Sequence, residues 1–274
     1  KFRKYVKISQ RTIMISRNIV FFSHSLGQLK NGVGHNMKHI KPFVKSPIYH
    51  VSCQKNIFKN LSTLHDVNTA LYGNLINIGG DHSMAIATVS STMKKYNDAK
   101  VIWIDAHPDI NTFESSETKN YHGMPLAYLT GLQSDKQCDY IKNKLNFKNI
   151  LYIGIRDIDH FEKSIIQDNG IKVITMDDIQ SNMSDTLETI RNFIGTSPIH
   201  LSFDVDVLDP SIMPGTGTPV PNGIKLEEAK TLLDELYNYR IVNMDITELN
   251  LDDFNKDTRE QSLKTFVELF GNRL

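Results

Sequence analysis

Two short acidic clusters hold the densest chemistry in this 274-residue chain. Asp105-Ala106-His107-Pro108-Asp109 follows the apolar run Val101-Ile102-Trp103-Ile104, and Ser202-Phe203-Asp204-Val205-Asp206 follows Ile199-His200-Leu201. Carboxylates at the ends of buried strands cost several kcal/mol each to desolvate unless something cationic holds them. Neither cluster contains a Lys or Arg. Adjacent acids without basic partners, with an imidazole among them, are the makings of a two-metal site. Asp105, His107 and Asp109 alternate, as do Asp204 and Asp206, so an extended backbone would put each set on one face. His82, in Gly79-Gly80-Asp81-His82, follows a third apolar run and adds a second imidazole. Four carboxylates and two imidazoles can hold two divalent ions if two carboxylates bridge, and the oxygen-rich set favours Mn²⁺ over Zn²⁺.

These clusters need strands to present them. Ile13-Met14-Ile15 and Ile19-Val20-Phe21-Phe22 read as a first strand with a polar interruption, and 23–47 as loop with at most a short helix. Further strands are expected at 75–78, 101–104, 150–153, 171–174, 199–203 and 241–244. Between them, helical spacing marks 57–71, 83–96, 158–168, 185–194, 226–237 and 256–270. Such alternation predicts an α/β fold: a three-layer α-β-α sandwich around a central, mostly parallel sheet, in one domain over 1–274. In such sheets ligands bind beyond the carboxyl ends of the strands. The polar clusters, and Thr247-Glu248 after 241–244, fall there.

Composition sets outer limits. No apolar run approaches the length that spans a bilayer, so no membrane partner is expected. Cys53 and Cys138 lack metal-knuckle spacing and read as free thiols in a reducing compartment, which makes a cytoplasmic location the expectation. The net charge is zero, yet residues 1–65 hold twelve Lys or Arg and no acid. Residues 1–12 accordingly read as a disordered basic segment or a remnant of targeting, with a mitochondrial location as the alternative. The bases are neither clustered on one helix face nor interleaved with aromatics, so nucleic acid is not an expected partner.

Gly79-Gly80-Asp81-His82-Ser83, the 105–109 cluster and 202–210 together resemble the three signature motifs of the ureohydrolase family, whose members hydrolyse guanidino groups to urea. The resemblance runs from about Phe22 to the C-terminus, and 109–112, 118–125, 152–159, 217–219 and 245–250 are similar to the arginase branch. It implies two Mn²⁺ per subunit: one held by His82, Asp105, Asp109 and Asp204, the other by Asp105, His107, Asp204 and Asp206. It further implies a metal-bridging hydroxide that attacks the guanidinium carbon, with L-arginine and water giving L-ornithine and urea. Asp109 would orient the hydroxide and pass its proton on, His122 would shuttle protons to solvent, and Glu248 would pair with the guanidinium. Asn111, Thr118 and Asn120 would face the α-carboxylate, Asp159 the α-ammonium, and Thr218 the reacting centre. Trimers or hexamers are the assemblies the resemblance implies, with Leu263, Phe266, Val267 and Phe270 as a candidate apolar stripe.

Departures from the family pattern are Pro108, Asn222-Gly223, Leu251 and the segment 32–37; none removes a ligand. Agmatinase, or another guanidino hydrolase, is the alternative within the family. Agmatine lacks an α-carboxylate and would leave the Asn/Thr set without a task, which places L-arginine first. A catalytically silent relative would have lost a ligand, and all six are present. A deacetylase on the related fold would need a single metal and a different ligand pattern.

Overall fold

The computed structural model describes residues 17–29 and 32–274. The expected strand at 13–15 and the basic segment 1–12 lie outside the described residues. Eight strands form one sheet: β1 (Arg17–Phe22), β2 (Ile48–Val51), β3 (Asn74–Gly79), β4 (Lys100–Ile104), β5 (Ile150–Ile153), β6 (Lys172–Ile174), β7 (Ile199–Asp204) and β8 (Ile241–Thr247). Their spatial order is β2-β1-β3-β8-β7-β4-β5-β6, and every pair is parallel. The helices are α1 (Met37–Ile40), α2 (Ile57–Ala70), α3 (Ala85–Lys95), α4 (Pro125–Thr130), α5 (His160–Asp168), α6 (Met176–Ser181), α7 (Met183–Ile194), α8 (Leu226–Leu236) and α9 (Lys256–Phe270).

The helices begin where side-chain caps allow. Asn56 accepts the Lys59 N–H at the start of α2, and Asn255 accepts the Thr258 N–H at the start of α9. α2, α3 and α4 pack together over one face of the sheet, and α7, α8 and α9 form a connected layer over the other. Strands covered on both faces carry apolar residues in both directions, as Val101-Ile102-Trp103-Ile104 does, all fully buried. Among the described residues no helix is long and apolar enough to cross a membrane.

The chain path decides which motifs meet. After β3 it passes over two vacant positions to build β4, β5 and β6 outward, then returns to fill the gap with β7 and β8. The four motif-bearing strands therefore become consecutive neighbours, β3-β8-β7-β4, with all their carboxyl ends on one edge. That edge is a topological switch point, where open parallel sheets open a crevice. Gly80 brings the end of β3 against the segment after β1: a Cβ there would stand 1.4 Å from the His24 carbonyl oxygen, so only glycine fits.

Beneath α3 the central strands are unexpectedly polar. Asn77 Nδ2 donates to Asn243 Oδ1 and Asp245 Oδ1, each at 2.8 Å. His200 Nε2 lies 3.0 Å from Asp245 Oδ2, and its Nδ1 lies 2.8 Å from the Thr92 hydroxyl. Buried polar groups must find such partners, and this network ties α3 to three strands just below the motif-bearing edge.

Three elements were not expected from the sequence. β2 is an edge strand of four residues, two of them exposed, too short and too polar to show a period. α4 and α6 have six residues each, below the length at which helical spacing declares itself. The C-terminal stripe divides: Phe266 and Phe270 are buried core, whereas Leu263 and Val267 line a shallow apolar groove with Phe43.

Candidate metal centre and the cavity above it

The acidic clusters converge, but not by strand alternation. β4 ends at Ile104, and the chain turns through 105–109 with Asp109 at φ +51°. β7 ends at Asp204, whose Oδ1 accepts the Asp206 N–H at 2.9 Å and closes a single 3₁₀ turn over 205–207. The extended-face expectation is corrected accordingly. Asp105 likewise folds its own turn by accepting the His107 N–H at 2.7 Å. Turns of this kind curl successive side chains around a point rather than lining them along a plane. A left-handed backbone costs a non-glycine residue of order 1 kcal/mol, and such strain tends to collect at functional sites.

One atom carries the argument for a cation. His82 Nδ1 stands 3.0 Å from each of three carboxylate oxygens, Asp105 Oδ2, Asp109 Oδ2 and Asp204 Oδ2. It is buried and has no hydrogen-bond partner of acceptable geometry. Its other ring nitrogen, Nε2, lies 2.8 Å from the Ser202 hydroxyl. With the ring proton on Nε2, donated to Ser202, Nδ1 directs a lone pair at three acceptors. A divalent ion placed between them would satisfy that convergence. The imidazole is further fixed by stacking on Trp103, at 4.2 Å between ring centroids and 7° between planes. Trp103 Nε1 donates to Asp105 Oδ2 at 3.0 Å.

A second group adjoins the first. His107 Nδ1 lies 3.0 Å from Asp206 Oδ2 and 3.6 Å from Asp105 Oδ1. Asp105 thus offers one oxygen to each histidine and belongs to both sets. Asp204 stands with the first: its Oδ2 faces His82 and accepts from Thr247 Oγ1 at 3.2 Å, while its Oδ1 is engaged by the Asp206 backbone. Thr218 turns its hydroxyl to Asp206 Oδ2 at 2.9 Å.

Electrostatics say the same. Burial, reinforced by Asp206 and Asp105, lifts the Asp204 carboxyl well above the usual range. Burial and Asp105 push Asp109 up to about 6, and burial with Asp105 also raises Asp206. Burial alone would lower both imidazoles, but the surrounding carboxylates outweigh it and lift His82 and His107 well above their ordinary value. Groups packed this way bind protons avidly for want of another cation, and metal ions compete for the same oxygens.

Above the clusters lies a cavity of about 210 Å³. Its wall includes seven carboxylates (Asp109, Asp157, Asp159, Glu162, Asp204, Asp206 and Glu248), with His107, His122, Asn111 and Thr218, and among the described residues no Lys or Arg lines it. A wall of one sign focuses a negative potential and favours a cationic guest. Glu248, directly after β8, sits at φ +61° and is buried. Its Oε1 accepts the His82 N–H at 2.8 Å and lies 3.2 Å from His122 Nδ1, while its Oε2 accepts from Gln28 Nε2. Burial would raise this carboxyl, but His122 and the other donors hold it below its ordinary value; in return Glu248 outweighs burial and lifts His122 to about 9.

The remaining sequence-level candidates separate. Asn111 and Asp159 line the cavity and are bonded to each other, Nδ2 to Oδ2 at 2.6 Å. Asp159 also caps α5 by accepting the Glu162 N–H at 2.9 Å. Thr118 and Asn120 are not among the lining residues; Thr118 Oγ1 accepts the Asn120 N–H at 3.3 Å within their own loop. Sequence reading passed over Gln28, Asp157 and Glu162. Asp159-x-x-Glu162 is a helix-start signature, which masked Glu162 as a cap. Asp157 lies within the matched 152–159 segment but was given no role there, although its Oδ2 is 3.6 Å from His107 Nε2, and Gln28 carried no signal at all.

A model of the arginase family matches residues 23–271. The arginase of Coccidioides posadasii is 42% identical over 189 residues, covering 64% of this chain and 59% of that protein. The chain thus spans less than two thirds of that relative's length. The arginase of Entamoeba histolytica is 39% identical over 213 residues, 76% of this chain and 71% of its own. The crystal structure of that Entamoeba enzyme in complex with L-ornithine superimposes with a TM-score of 0.85 at 32% identity, covering 93% of this chain and 98% of the other.

Proposed function

The chain belongs to the arginase family, and from that premise we propose that it is a hydrolase converting L-arginine and water to L-ornithine and urea with two bound Mn²⁺. The convergence of three carboxylates on the unpartnered His82 Nδ1, beneath a cavity walled by acids, carries this reading. His82, Asp105, Asp109 and Asp204 would hold one ion; Asp105, His107, Asp204 and Asp206 would hold the other. The pair supplies the concentrated positive charge that lowers the pKa of water toward neutrality.

The chain's own residues do the rest. Glu248, kept ionised by its donors, binds the planar guanidinium and turns its carbon toward the clusters. Asp109, on the cavity wall beside His82, is placed to orient the attacking water and pass its proton to the departing nitrogen. The bond from the guanidinium carbon to the side-chain nitrogen breaks, the water oxygen stays on the urea carbon, and the amine leaves protonated. His122 then returns the site to its starting protonation by exchanging a proton with solvent. Asp159 and Asn111 meet the far end of the substrate.

The second reading, agmatine hydrolysis, draws support from a specific observation. Thr118 and Asn120 lie off the cavity wall, and among the described residues no Lys or Arg lines it to meet an α-carboxylate. The Entamoeba histolytica arginase, solved in complex with L-ornithine, favours the arginine reading. Urea release from L-arginine and agmatine, compared on the Mn²⁺-loaded chain, separates the two; release from agmatine alone would reverse the assignment. We place the described residues in one catalytic domain and assign the Phe43–Leu263–Val267 groove to assembly as trimers or hexamers. Both cysteines are free thiols, which supports a reducing, cytoplasmic setting.

A further inference from the structure

The segment between β1 and α1 reaches three parts of the site at once. The Gly27 N–H donates to Asp81 Oδ2 at 2.8 Å, on the turn that presents His82. The Gly27 carbonyl accepts the His122 N–H at 3.2 Å. The approach is close enough that a Cβ on Gly27 would stand 2.4 Å from Asp81 Oδ1. One residue on, the buried Gln28 amide donates to Glu248 Oε2, which has no other donor among the described residues. Glu248 needs such a restraint, because its left-handed backbone is a conformation that a non-glycine residue keeps only when its surroundings hold it.

The chemistry of the partner matters as much as its place. A carboxylate has about four lone-pair sites, and the His82 N–H, His122 and Gln28 take up three. A Lys or Arg at position 28 would orient Glu248 equally well, but it would add a second cation to the His122 imidazole already on Oε1, where a guanidinium must bind. An amide orients without adding charge. We propose that Gln28 is a positioning residue, aiming Glu248 into the cavity without adding a further cation beside the place a guanidinium group would take. This rests on the reading of Glu248 as the guanidinium partner.

The test uses the full Mn²⁺-supplied chain with Gln28→Met, which keeps the bulk and loses the donor, and Gln28→Lys, which keeps a donor and adds charge. For the guanidino compound that the wild type cleaves, both variants should raise KM about tenfold or more, the usual scale of a lost charge-assisted hydrogen bond, with kcat within about threefold. Gln28→Lys should be the worse, and Mn²⁺ affinity should match wild type in both. Calorimetric binding of guanidinium ion gives the same comparison if the wild type cleaves none of the compounds tried. That result would defeat the functional reading without touching this one. An unchanged KM or guanidinium affinity in Gln28→Met overturns the proposal, and so does full recovery in Gln28→Lys. Failure of both variants to fold would also overturn it, by making Gln28 a purely structural residue.

Discussion

Ser202→Ala removes one oxygen, and its consequence can be worked through. The Ser202 hydroxyl is 2.8 Å from His82 Nε2, and both residues are buried, so no water replaces it without rearrangement. An unsatisfied buried donor costs about 1–3 kcal/mol. More important, the hydroxyl can accept a proton carried on Nε2, and in that tautomer the Nδ1 lone pair is aimed at Asp105, Asp109 and Asp204. Loss of such an outer partner typically weakens metal binding 10–100-fold, or about 1.4–2.7 kcal/mol. The second group does not share this contact, because His107 is oriented by Asp206 and Asp157. Titrating Mn²⁺ into the metal-free variant, followed by the resonance signal of the free ion, should show one site weakened 10–100-fold and one within about twofold of wild type. Equal weakening of both sites, or of neither, would refute the view that Ser202 acts through His82.

Further consequences follow from single contacts. Asp105→Asn alters the side chain whose two oxygens face the two histidines, so it should weaken both ions in the same titration; loss of one alone would deny its shared position. Glu248→Ala should leave Mn²⁺ binding intact while raising KM for the guanidino substrate by tenfold or more, about the value of a charged pair, and a normal KM would remove Glu248 from substrate binding. Burial, with the charges of Asp159 and Asp109, pushes the Glu162 carboxyl up to about 8. The folded metal-free chain therefore keeps a proton there that the unfolded chain releases near 4.5, so its stability falls as pH rises between about 4.5 and about 8 and levels above. Urea unfolding in the presence of chelator should show that slope flattened in Glu162→Gln; identical slopes would contradict the shift.

The gathering of these acids and imidazoles at one edge was legible because acids without basic partners, placed after apolar runs, have few other uses. The parallel sheet was legible from its alternating elements. What brings the ligands together was not. Asp105, His107 and Asp109 alternate in sequence as strand residues do, yet they meet through a turn that puts Asp109 in a left-handed conformation. Nothing local encodes that; it follows from where β4 stops and from contacts made by other segments. The late insertion of β7 and β8 between β3 and β4 is likewise a property of the whole chain. Gln28 acts on a residue 220 positions away, and the sequence alone carries no trace of such a pairing. Asn77, Asn243 and Asp245 read as interruptions of apolar strands, and their meaning appears only once they bond to each other.

The central claim is that six side chains from three stretches hold two cations with Asp105 between them. Anomalous X-ray scattering at the manganese edge, on crystals of the Mn²⁺-loaded chain, tests it most directly. Two peaks are expected, one beside His82 Nδ1 and one beside His107 Nδ1, each within bonding distance of an Asp105 oxygen. A single peak, or peaks elsewhere in the molecule, would contradict the account.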